Sequence, residues 1–159
     1  MSRKTVSILL KALVVCTALG LAFAIAVLLP TYLRHVVEVC PELRACFFWG
    51  IVYSCALAVP VCWALVLAWQ VFTTIGNDTT FCPENAKRLK TAALLATVDT
   101  AAVLASMVFL FFANALPPFL MLTFGGTAFA GFALAVVCFA LGELVAQATR
   151  IKQENDLTV

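Results

Sequence analysis

Four long apolar runs, at about 8–33, 46–71, 89–113 and 119–146, constrain this chain more than any other feature. Crossing the hydrocarbon core of a bilayer as a helix takes about 20 mostly apolar residues, and each run meets that length. Composition agrees: 64% of residues are hydrophobic and 11% charged, against about half and about a quarter in an ordinary soluble domain. The predicted fold class is therefore all-α. It is a polytopic membrane protein forming one four-transmembrane-helix bundle over 1–159, with no separate soluble domain.

Sidedness follows from the basic residues. With the N-terminus inside, Arg3, Lys4, Lys11, Lys87, Arg88, Lys90, Arg150 and Lys152 fall on the cytoplasmic side, and only Arg34 and Arg44 outside. Lys and Arg accumulate in short cytoplasmic segments, so the N- and C-termini and the loop 72–88 are expected in the cytoplasm. The expected location is the cell (plasma) membrane, with the lipid bilayer as first partner. A net charge of +2 is too small to point to direct nucleic acid binding. The first apolar run exceeds the roughly 7–15 residues of a signal-peptide core, so it is expected to be a retained span. Cys16, Gly20 and Ala24 recur along it every four residues, as at close helix contacts in lipid.

The outer segment 31–44 reads as a short mixed loop. It holds His35, the lone histidine, next to Glu38, and without further ligands no metal site is expected. Cys40 and Cys46 flank its end, and on an oxidising face they form a possible disulfide. The seven cysteines include no CxxC pair, which removes the spacing of a thiol oxidoreductase or zinc site. In the second run Trp49 and Trp69 mark the two interfaces. Pro60 interrupts its middle and is expected to bend it.

The loop ends in a helix start: Phe81, Cys82, Pro83, Glu84 and Asn85. Proline suits the first helical position, and Glu84 complements the positive end of the helix dipole. Lys87, Arg88 and Lys90 follow on a face largely opposite Ala86, Leu89 and Ala93, near the lipid headgroups. This segment, FCPENAKRLK, resembles the inner-loop motif of the bacterial membrane family called domain of unknown function 2975. The ending, with Glu154, Asn155, Asp156, Leu157, Thr158 and Val159, resembles that family's acidic C-terminus. Cys82 stands where the family usually has Ser, a better N-cap. The resemblance covers the whole chain and implies four spans but no activity. It also implies a possible cytoplasmic partner, a small helix-turn-helix regulator encoded nearby.

Two carboxylates fall inside the apolar runs. Asp99 shares a small and polar face with Ala92, Ala96, Ala102 and Ser106, and Glu143 precedes Gln147 and Arg150 by one and two turns. Both are expected at comparable depth in the inner half, facing the bundle interior. A shared proton, or a pairing of Glu143 with Arg150, would compensate them. Two functions remain in view. The first is a regulatory or signalling membrane protein that presents its inner loop and tail to a cytoplasmic protein. The alternative is a small proton- or cation-coupled transporter using Asp99 and Glu143, with a possible homo-oligomer enclosing the path. No nucleophile–base pair, metal cluster or phosphate loop is present, so neither an enzyme nor a cofactor is expected. The tail is expected to dock on the loop, setting Glu154 or Asp156 against Arg88 or its neighbours and Leu157 against Phe81.

Overall fold

Helix accounts for nearly all of the described chain, residues 3–76 and 82–156 of a computed structural model. Phe81, Leu157, Thr158 and Val159 lie outside the described residues, as do the side chains of Cys46, Asn155 and Asp156. The first span comprises α1 (Arg3–Phe23), a π turn (Ala24–Leu28) and α2 (Leu29–Val39). A 3-10 turn (Pro41–Cys46) leads to α3 (Phe47–Gly76), then α4 (Pro83–Phe112) and α5 (Pro118–Asp156). Four helices are thus long and apolar enough to cross a membrane, over Lys4–Val39, Phe47–Gly76, Pro83–Phe112 and Pro118–Glu154. Such a chain reads as a multi-pass membrane protein, with both chain ends at one end of the bundle, the terminal end.

Three expectations are corrected. The segment 31–44 is helical almost throughout. Pro30 falls in the first turn of α2, where its missing N–H is tolerated. The π turn before it, with Leu29 N–H donating to Ala24 O five residues back, widens the helix where the proline enters. The loop 72–88 shrinks at its first end, because α3 persists through Gly76; at its other end α4 begins at Pro83, where the helix start was expected. Cys40 is a free thiol. The 3-10 turn separates it from the Cys46 backbone by roughly 12 Å at about 2 Å per residue, beyond disulfide reach.

The turn between α4 and α5 closes as its residue types require. Asn114 takes a left-handed conformation, φ 51°, which Asn tolerates better than most residues. Asn114 N–H donates to Phe111 O at 3.1 Å and Ala115 N–H to Leu110 O at 3.0 Å. These are the two bonds of a Schellman cap. Pro118 then opens α5.

The helices pack in the order α1, α3, α4, α5, with the most extensive contact between α4 and α5. At the loop end the row is drawn round: Tyr32 of α2 donates from its hydroxyl to Thr123 Oγ1 of α5 at 3.1 Å and sets its ring edge-on to Phe119. The buried core is mostly small, with Ala86, Ala93, Ala128 and Ala135 among its members, while Phe109, Phe112, Leu122 and Phe129 point outward. This suits lipid, where acyl chains are as apolar as Leu and helices associate by close backbone approach. Gly131 makes such an approach: a Cβ there would collide with the Thr100 hydroxyl of α4. Gly142 fits against Ala86 O and the Leu89 and Lys90 side chains.

Gly131→Leu should therefore force α4 and α5 apart and lower unfolding stability by about 1–3 kcal/mol, the usual range for overpacking. Gly125→Leu, at a site with nothing within 4 Å, should leave unfolding in detergent unchanged.

Candidate functional site

The polar side chains of the bundle gather at its terminal end. Pro83 begins α4 and Cys82 occupies the N-cap with extended backbone and no side-chain cap bond. The Asn85 and Ala86 N–H groups reach Cys82 O instead, at 3.2 and 3.5 Å. Helical spacing then turns Asn85 inward and leaves Glu84 and Lys87 exposed. Asn85 is 1% exposed. Its amide donates to Thr74 Oγ1 at 2.6 Å, tying α4 to α3, and its Oδ1 accepts from the Arg88 guanidinium at 2.9 Å. Thr74 Oγ1 in turn donates to Val71 O at 2.6 Å.

The first span joins the same end. Buried Ser7 donates to Phe72 O at 2.6 Å. A Cβ at Gly76 would come within 2.9 Å of the Ser7 hydroxyl, so the absence of a side chain there lets α1 seat. Lys11 places its ammonium 5.3 Å from the centroid of the Trp69 ring, a cation–π contact at the expected aromatic interface. On the other side of α4, Lys90 Nζ lies 2.8 Å from Glu143 Oε1 of α5, both half-exposed. Glu143 is thus compensated by a lysine of the loop motif, rather than by Asp99 or Arg150.

Asp99 stands elsewhere. Thr100 faces Gly131, whereas Lys90 and Ala86 face Gly142, so Asp99 and Glu143 differ in depth by roughly 14 Å at 1.5 Å per residue. The comparable depth expected for them is corrected. The antiparallel register, read from two glycine contacts, decides it. On α4, Ser106 donates to Ala102 O at 2.7 Å and lies 2.5 Å from the Tyr53 hydroxyl of α3. Asp99 shares that face one and two turns inward. Gln147 is exposed on α5. His35 Nδ1 is 3.9 Å from Glu38 Oε2 at the surface, and no group of three metal-ligating side chains occurs among the described residues.

The tail follows α5 as continued helix to Asp156. Since Gly142 is level with Ala86 and Lys90, Glu154 lies roughly 18 Å farther along. The helix carries it past the level of Arg88. Leu157 and Phe81, the other half of that expectation, lie outside the described residues.

The family described as Protein of unknown function (DUF2975) matches residues 5–159. The chain belongs to this family. The match takes in both the segment around Pro83 and the ending, and in that segment Asn85 is the most buried large side chain described. No curated protein and no solved structure matches the chain. Sequence reasoning assigned Asn85 to the motif without giving it a role. The available signal was a lone amide on the Ala86 and Ala93 side of an otherwise basic first turn.

Asn85→Ala removes a buried partner of both Thr74 and Arg88. It should lower stability by about 1–3 kcal/mol, read by chemical unfolding in detergent. The half-exposed Lys90–Glu143 pair should matter less, about 0.2–1 kcal/mol. Glu143→Lys should be partly rescued by Lys90→Glu in a double-mutant cycle.

Proposed function

We propose that this is a regulatory protein of the bacterial plasma membrane, with both termini in the cytoplasm, that presents its terminal end to a cytoplasmic protein. The carrying observation is the length of α5. Its 39 residues extend roughly 58 Å, nearly twice the roughly 30 Å hydrocarbon thickness. By the Gly142 register, the stretch from Arg150 to Asp156 projects roughly 12 Å beyond the start of α4. Arg150, Ile151, Lys152 and Glu154 are all exposed on it, an apolar side chain between charged ones. Beside it stand the exposed Lys87 and Glu84. The orientation rests on the basic residues, which crowd this end and leave Arg34 and Arg44 to the other.

The partner that family resemblance favours is a helix-turn-helix regulator. The protein would hold it at the membrane and would not itself bind nucleic acid or act as an enzyme. The transporter reading loses its paired carboxylates, because Glu143 is engaged by Lys90.

Two measurements check this. On a background free of native cysteines, Gln153→Cys should be labelled from the cytoplasm and Glu38→Cys from outside. The purified protein in nanodiscs should bind the helix-turn-helix protein encoded beside it, and removal of 150–159 should abolish binding while unfolding stability is retained. Binding indifferent to that truncation, or absent altogether, would refute the proposal.

A further inference from the structure

All four spans depart from regular helix, or come unusually close, at one depth. Ser7 meets Phe72 and Gly76, and Leu33 meets Gly50. The π turn Ala24–Leu28 therefore stands opposite roughly residues 55–59 of α3, within about a turn of Pro60. Tyr53 donates to Ala102 O and Asn85 to Thr74, which sets Pro60 opposite roughly residues 95–99 of α4. Gly131 abuts the neighbouring Thr100. A π turn, an internal proline, a carboxylate and a glycine contact thus share one layer, about half-way along α3 and α4.

The layer holds unmet polar capacity. Pro60 has no N–H to offer the carbonyl of Ala56 four residues back on α3, the helix that packs on α4. Asp99 Oδ1 is buried without a hydrogen-bond partner among the described residues. Among the described residues no Lys or Arg side chain stands near it. Asp99 is the one charged residue between Lys90 and Glu143, and α3 contains none. The neighbouring titratable groups are Tyr53, already bonded to Ala102 O and beside Ser106, then Cys55 and Cys62 on α3, Cys16 on α1 and Cys138 on α5. Lys90 is held by Glu143, and Lys11 lies over Trp69. An ionised carboxylate at mid-membrane is expensive and calls for a partner of opposite charge, and no protein side chain on these elements supplies one.

We infer that Asp99 is a reversible binding site for one small cation, a proton or a monovalent alkali ion, at the contact of α4 with α3, where Pro60 leaves one carbonyl without its helical donor. The carboxylate provides the charge. A carbonyl without its helical donor can accept from the protonated acid or ligate the ion. The inference is independent of the partner proposed for the terminal end.

Dicyclohexylcarbodiimide, which reacts with protonated carboxyl groups in apolar surroundings, tests it on the intact protein in nanodiscs. Labelling is followed by peptide mass mapping across a pH series in choline, sodium, lithium and potassium salts. One adduct at Asp99 is expected, absent from Asp99→Asn and present in Asp99→Glu, with its rate falling about tenfold per pH unit above a midpoint. Suppression by an alkali salt at constant pH assigns that ion, and indifference to salt assigns the proton. Labelling that ignores both pH and salt, or no adduct at Asp99 at any pH, overturns the inference.

Discussion

Hydrocarbon offers no hydrogen-bond partner to a peptide group, and this constraint governs the whole molecule. It obliges the chain to satisfy its own N–H and C=O groups along each span. The chain answers with helices that persist through places where a soluble protein would break. α2 absorbs Pro30 behind a π turn, and α3 continues through Pro60. The cost is concentrated at one depth, where Asp99 also lies. The termini and turns are regular by comparison: a proline-started helix at Pro83, and a left-handed Asn114 that closes the α4 carbonyls.

With no water to expel, the helices are held by contact and by a few polar ties. Glycine at 131 and 142 brings α5 onto α4, and glycine at 50 and 76 seats the first span on α3. The polar ties collect mainly near the ends: Ser7 to Phe72, Asn85 to Thr74 and Lys90 to Glu143 at one, Tyr32 to Thr123 at the other. Tyr53, bonded to Ala102 O, ties α3 to α4 nearer the middle. The basic segment that opens α4 contributes to two of these ties, through Asn85 and Lys90. Its basic character thus has a packing use in addition to orientation. Lys87 and the projecting end of α5 are left for contacts beyond the bundle.

Legibility in the sequence differed by feature. The four spans could be read directly, because crossing a bilayer depends on the length and hydropathy of one segment at a time. Pro83 as a helix start was legible for a similar reason: the first turn of a helix is a local matter. Residues 31–39 and 72–76 were misread because their polar side chains resemble loop composition. Polar residues at helix ends beyond the hydrocarbon are fully compatible with helix, and no breaker stands within 31–39.

The sequence by itself determined an all-helical, four-span chain with two carboxylates inside its apolar runs, since helix and span are properties of contiguous residues. Tertiary structure alone decided what those carboxylates face. Glu143 meets Lys90, and Asp99 meets no Lys or Arg among the described residues, because the α4–α5 register is set by where two glycines allow the backbones to touch. That register also makes the π turn, Pro60 and Asp99 level with one another. Position along a helix can be counted from sequence, but height relative to a neighbouring helix depends on the contact between them.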